Sequence, residues 1–248
     1  MAEGHAVRRW RRALEALVNA PLVGQCLTRV EARGKHLLLY LTGDWVIHCH
    51  AMQYGSWQVG ERGLELRKAE KYVRLRLVTP SQEAVFSHGP VVEVLRLDEV
   101  AAHPKLAALG PDVLDDDFDR DEAWARTRAQ ADREIGEVVL NQQVMAGIGN
   151  IYKSEGLFLA GLDPRRPAGE VRRGEMEGFW DQVIPLMREG MQTYGPTETL
   201  PPDLRQHGQR HWVYRRRGHP CFRCGTKIQL TRQDPNQRST YFCPTCQQ

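Results

Sequence analysis

Four cysteines near the end of the chain constrain its folding more than any other feature. Cys221 and Cys224 stand in "CFRC", and Cys243 and Cys246 in "CPTC", with 18 residues between the pairs. Two C-x-x-C turns at this separation have the spacing of a tetrahedral zinc site. Each turn aims two sulfurs at one point, and the stretch between them is long enough for a β-hairpin. The plain reading is a zinc knot that staples the C-terminus. Charge adds a second reading. From Gly208 to Gln248 there are seven arginines and one lysine against a single acid, Asp234, whereas the whole chain carries a formal charge of only +3. Positive charge gathered at one end is the footprint of phosphate contact.

The 248 residues suffice for one large or two modest domains beside the zinc module. No apolar run approaches the roughly 20 residues of a membrane span. The opening "MAEGHAVRRWRR" has no apolar signal-peptide core. Four of six cysteines in metal spacing fit a reducing compartment, and the expected location is cytoplasmic, with association to the nucleoid following if the basic end contacts DNA. Cys26 and Cys49 lie among apolar residues and read as small buried side chains.

Val7 to Val18 has helical apolar spacing, ended by Pro21 and Gly24. From about Cys26 to Leu97 the pattern turns to short β-rich segments separated by Gly, Pro and Asp, which reads as a sandwich or barrel. "HPKLAALGPDVLDDDFD" reads as a linker, with the Asp115–Asp119 run as a solvated helix start. Residues 121 to about 194 read as helical. Within them an apolar segment breaks at Gly147 and Gly149 and resumes at Ile151. A Pro/Gly-rich connection then leads to the cysteines.

Four stretches could carry chemistry. In "MAGIGN", two glycines let backbone approach a phosphate, a helix N-terminus follows, and Asn150 adds a donor; an ordinary helix–helix turn is the competing reading. Lys35 opens the apolar strand of "EARGKHLLLYL", where a solvated strand end is the simpler explanation. "HAMQYG" makes a hairpin tip bearing Met52, Gln53 and Tyr54, either a core plug or a wedge between bases. Finally, removal of Met1 would make Ala2 the chain terminus beside Glu3. An α-amine has an ordinary pKa near ~8, so part of it is neutral at pH 7 and nucleophilic, with a carboxylate to move protons. Read alone, this is an ordinary N-terminus.

Taken together these features resemble the formamidopyrimidine-DNA glycosylase/endonuclease VIII family of base-excision repair enzymes. "AGIGNIYKSEGLFLAGLDP" resembles the family's helix–two-turn–helix element, "VYRRRGHPCFRCGTKIQL…RSTYFCPTCQ" its zinc finger, and "LTRVEARGKHLLLYL" the strand bearing its essential lysine. The resemblance implies an α+β multidomain fold. An N-terminal β-sandwich with an N-terminal helix would occupy 1–112, a helix–two-turn–helix domain 118–205, and a zinc-finger β-hairpin 206–248. It implies one structural Zn2+ on Cys221, Cys224, Cys243 and Cys246, and a monomer acting on double-stranded DNA with a damaged base or abasic site. The damaged nucleotide would be flipped out of the stack. Ala2 would be the nucleophile, forming a Schiff base before strand cleavage, with Glu3 as acid/base and Lys35 essential beside them. Lys35, Asn150 and Arg238 would hold phosphates, and Met52, Gln53 and Tyr54 would fill the vacated space. "MQYG" and the short "RQHG" loop resemble endonuclease VIII more closely, which favours oxidised pyrimidines.

The sequence departs from the family pattern at three places. Ala2 replaces the usual proline, so a primary amine stands where a secondary one is common; it can still form an imine. The region before Lys35 is short, as if a sandwich strand were missing or replaced. Asn141 in "LNQQ" stands where an acid is common. Three readings follow: an active glycosylase with AP lyase activity, a weak or inactive damage-binding protein on the same fold, and a zinc-containing RNA-associated protein.

Overall fold

The computed structural model describes residues 3–14, 21–22, 24–192, 197–205, 208–233 and 237–248. Ala2, and the Tyr194–Pro196 part of the connection before the finger, lie outside the described residues. The chain forms two compact units, Met1–Leu109 and Gly110–Gln248.

The first unit opens with α1 (Gly4–Leu14), which packs on β2 (Gln25–Arg33), β3 (His36–Leu41) and β5 (Ser56–Glu61). Val7 and Leu14 are buried on its inner face, as the apolar spacing requires. Strands β1 (Pro21–Leu22), β2, β3, β4 (Trp45–His50) and β8 (Val91–Arg96) form one antiparallel sheet in the order β1-β2-β3-β4-β8. Strands β5, β7 (Gln82–Ser87) and β6 (Val73–Val78) form a second, with β7 central. Side chains alternate between the faces of a strand. Leu37, Leu39, Ile47 and Cys49 therefore join Trp57, Leu77, Ala84 and Phe86 in one core. Leu38, Tyr40 and Val46 point the other way, into a smaller core with Val100 and Leu106.

Val100 and Leu106 come from α2 (Leu97–Ala102) and α3 (Pro104–Ala107), the second of which lies in the stretch 103–119 expected to be a linker. Pro104 both ends α2 and starts α3, a position that tolerates its missing N–H. The two short turns cover the outer face of the sheet. Burial pushes the Cys49 thiol up to about 12, in keeping with an inert core side chain, while Cys26 is half-buried.

In the second unit Asp119 caps α4 (Arg120–Arg128), accepting from the Glu122 N–H at 2.8 Å, so the acidic run does supply a helix start. The apolar segment before the glycines is helical only over α5 (Ile135–Val138). Asn141 Oδ1 then accepts from the Gln143 N–H at 3.0 Å, an Asx-turn that diverts the chain. Helix α6 (Asn150–Leu159) crosses α7 (Arg173–Gly190) closely at Gly156, where a Cβ would lie 2.8 Å from the Phe179 ring. Around this crossing Met145, Tyr152, Leu157, Phe179, Trp180 and Val183 form the core. Strands β9 (Gln229–Gln233) and β10 (Arg238–Phe242) make the expected hairpin between the cysteine pairs.

Candidate functional site

The four cysteine sulfurs converge, with all ligand atoms within 4.8 Å of one another. Cys221–Cys246 and Cys224–Cys243 approach to 3.9 and 3.4 Å. A tetrahedral zinc with bonds of ~2.3 Å sets its sulfurs about 3.8 Å apart, so the set fits one structural Zn2+. Local turns aim the sulfurs. The Gly225 N–H donates to the Cys221 carbonyl at 2.9 Å, and the Arg223 N–H points at the Cys221 sulfur. Four sulfurs leave no open coordination position, so the ion holds the hairpin and does no chemistry. The knot docks on the helical part of the unit. Gln247 donates to the Leu162 carbonyl and accepts from the Cys243 N–H, while Ile228, Phe158 and Val213 close an apolar contact.

The hairpin is tied to the glycine turn by Asn150. Its side-chain amide donates to the Ser239 carbonyl at 2.7 Å, beside Arg238 at the start of β10. Gly147, with φ +100, provides the bend ahead of α6, a conformation that L side chains rarely adopt. Gln142 braces that bend. Its Oε1 accepts from the Gly147 N–H, and its Nε2 donates to the carbonyls of Leu140 and Ile148. Asn150 and Arg238 thus lie side by side with the N-terminal end of α6, whose dipole favours an anion. The basic run "YRRRG" divides. Arg215 and Arg217 are exposed, while Arg216 is buried, donates to the carbonyls of Trp212 and Pro220, and lies over the Phe222 ring at 3.6 Å. Burial lowers its pKa, and its role is structural.

Glu155 is a residue that motif reading passed over. Its carboxylate is fully buried and accepts the backbone N–H groups of Trp212, Val213 and Tyr214 at 2.8–2.9 Å, and the Thr199 hydroxyl. It fixes the segment entering the zinc finger to α6. A lone acid inside the apolar run "SEGLFL" was the available signal.

In the first unit Glu3 and Lys35 are both buried, at 2% and 4% exposure. The solvated strand end expected for Lys35 is thereby corrected: Gly34 turns the chain at φ +55, and Lys35, just before β3, is buried. Buried charges of this kind are kept only where they are engaged. The Glu3 carbonyl accepts the N–H groups of Ala6 and Val7, starting α1. The expected hairpin tip is corrected: β4 and β5 lie in different sheets, so "HAMQYG" is the turn that carries the chain from one sheet to the other, and it is no core plug. Met52, Gln53 and Tyr54 are all exposed, Tyr54 to 75%. Met52 holds a left-handed φ of +49, with its N–H donated to His50 Nδ1. Such backbone strain persists only where surroundings impose it.

A two-sheet domain with an N-terminal helix, a helical core with a glycine bend, and a four-cysteine hairpin define the class of the protein as a multidomain α+β protein with a C-terminal zinc finger. The sequence matches "Formamidopyrimidine-DNA glycosylase N-terminal domain" over residues 1–89, "Formamidopyrimidine-DNA glycosylase H2TH domain" over 109–200 and "Zinc finger found in FPG and IleRS" over 218–248. It is 34% identical to "Probable endonuclease 8 2" of Streptomyces coelicolor over 91% of this chain and 80% of that one. It is 30% identical to "Endonuclease 8" of Klebsiella pneumoniae over the full length of both. The fold is that of the Lactococcus lactis Fpg bound to abasic-site DNA, with TM-score 0.82 at 23% identity over all of both chains. The chain belongs to the formamidopyrimidine-DNA glycosylase/endonuclease 8 family of DNA glycosylases.

Proposed function

We propose that this protein is a base-excision DNA glycosylase with AP lyase activity that acts through its N-terminal amine. The observation that carries the reading is the burial of Glu3 at the first turn of α1, one residue from the terminus that Met1 removal would create. An amine and a carboxylate adjacent in sequence, the carboxylate withdrawn from water, suit proton transfer during attack on a sugar carbon. The Ala2 nitrogen would attack C1′ of the flipped nucleotide and form a bond there as the C1′–base bond breaks. Glu3 would move the proton, and loss of the ring oxygen bond would leave an imine. Elimination at C2′ and C3′ would then release the 3′ phosphate.

DNA would be held by phosphate contacts from Lys35, Asn150 and Arg238. Exposure of Met52, Gln53 and Tyr54 on the turn between β4 and β5 supports their role as the wedge. Oxidised pyrimidines are the proposed substrates, in keeping with relatives named endonuclease 8. The proposed working form is a monomer, divided into a catalytic sandwich over 1–112, a helix–two-turn–helix domain over 118–205 and the finger over 206–248. Ala2 in place of proline motivates the second reading, a protein that binds abasic sites without cutting.

Mass spectrometry of the mature N-terminus, joined to borohydride trapping on abasic-site DNA, separates the two. A covalent adduct at Ala2, lost in Glu3→Gln while binding persists, supports the enzyme. Tight binding with no adduct from protein lacking Met1 removes the imine mechanism.

A further inference from the structure

The outer face of the five-stranded sheet carries a histidine cluster that the DNA chemistry does not use. Strand alternation places His36 on β3, His48 and His50 on β4 and Glu93 on β8 on one face, because His36 pairs with His50 and His48 with Glu93 across the ladder. The turn from α2 into α3 then lowers His103 onto the same spot. The rings lie against one another with centroids 4.5–5.1 Å apart, His36 stacked on His48, His50 tilted against His36 and His103 edge-on to His48. Their neighbours on this face are Leu38, Tyr40 and Val46, so four imidazoles stand where apolar side chains would pack without any polar atoms to satisfy.

Two ring nitrogens converge on a single oxygen. His48 Nδ1 lies 2.8 Å and His103 Nε2 3.2 Å from Glu93 Oε2. All three atoms lie within 4.8 Å of one another. His48 is fully buried, His103 nearly so, and Glu93 is half-exposed, which opens a path from solvent. The remaining nitrogen of His48, Nε2, sits 2.8 Å from His36 Nδ1. That is the outer-shell partner a metal-ligating imidazole requires to fix its tautomer and ring plane.

We propose that His48 Nδ1, Glu93 Oε2 and His103 Nε2 form a second metal centre, for a divalent first-row transition ion such as Zn2+. Two imidazoles and one carboxylate suit such an ion by donor type. Ligand bonds of ~2.1 Å hold donor atoms roughly 3.4 Å apart in a tetrahedral set. The two short contacts to Glu93 therefore open slightly on binding, a side-chain rotation that half-exposed Glu93 permits. His48 Nε2–H then donates to His36. Without a metal the same atoms form a proton-only chain, with His36 donating to His48 and both His48 and His103 donating to Glu93. The ion would pin α2–α3 to the sheet and stiffen β4, whose last residue, His50, holds the Met52 N–H.

The test uses the full chain with the cysteine site filled and excess metal stripped on a chelating resin. Zn2+ is titrated by calorimetry, and metal content is counted by mass spectrometry. Wild type is expected to take a second equivalent, with an accompanying rise in Tm. Glu93→Gln and His103→Ala are each expected to weaken that equivalent by at least about tenfold and leave the finger ion in place. Glu93→Gln changes a half-exposed side chain, so it reports even where His103→Ala folds poorly. Co2+ distinguishes the centres, since only the cysteine site gives thiolate-to-cobalt charge transfer. A single equivalent in wild type, or a second one held equally tightly by Glu93→Gln, would overturn the proposal in favour of the hydrogen-bonded chain alone.

Discussion

Asn150 and Ser239, 89 positions apart in sequence, are joined by a 2.7 Å hydrogen bond from the Asn150 amide to the Ser239 carbonyl. The bond sets the zinc hairpin at the N-terminal end of α6 and places Arg238 beside it. One side chain thereby couples the glycine bend to the finger, before any phosphate is bound.

Asn150→Ala and Arg238→Ala should therefore differ. Arg238→Ala should weaken DNA binding alike for every lesion and reduce the salt slope of log K by about 0.9, the contribution of one phosphate contact. Asn150→Ala should also weaken binding, and in addition speed amide hydrogen exchange in β10, because its partner carbonyl loses a donor. Fluorescence titrations across a salt series, with exchange mass spectrometry of the free protein, check both.

Glu155→Ala should be among the most destabilising single changes in the second unit. It leaves the Trp212, Val213 and Tyr214 N–H groups without their acceptor, at roughly 1–3 kcal/mol each if water cannot reach them. Glu155→Gln should cost less, because one oxygen remains to accept. Urea unfolding followed by circular dichroism should rank the variants in that order.

Removing zinc should unfold the hairpin and leave the sandwich folded, since the stacked Trp57–Phe86 pair and its core lie in the other compact unit. Structural zinc supplies folding free energy directly. Strong chelator, or Cys224→Ser at the exposed ligand, should erase the β9–β10 amide resonances and DNA binding. Sandwich resonances should stay in place.

Acid should weaken the first unit through His5. Burial, aided by the Arg9 charge one turn on, lowers its pKa from 6.5 to about 3. Between those values the unfolded chain takes up a proton that the folded one refuses. Stability therefore falls as pH drops through 6.5 and levels off near 3, by about 1 kcal/mol per pH unit at the steepest. Urea midpoints at pH 7 and pH 5 should differ by less in His5→Gln than in wild type.

The short signals were legible because they are local. Cys221, Cys224, Cys243 and Cys246 are pairs at fixed spacing, and a C-x-x-C turn aims its sulfurs whatever surrounds it. The strands of residues 26 to 97 declared themselves by composition, and Asp119 by its place ahead of a helix. Helix α3 was hidden in a Pro- and Gly-containing stretch that reads as a linker, and α5 was shortened by the Asx-turn at Asn141, because there the covering of a sheet face and one side-chain acceptor override apolar periodicity.

By itself the sequence determined the zinc ligands, the three-part order of elements and the family resemblance. Tertiary structure alone decided which polar groups are buried and what they hold. It buried Lys35, exposed Met52 and Tyr54, and tied Asn150 to Ser239. It gave Glu155 three backbone donors 57 to 59 positions away and brought His48 to Glu93 across 45. The reason is physical. A charged or amide side chain removed from water must find partners, and those partners are set by where the chain returns in space, which spacing along the sequence does not encode.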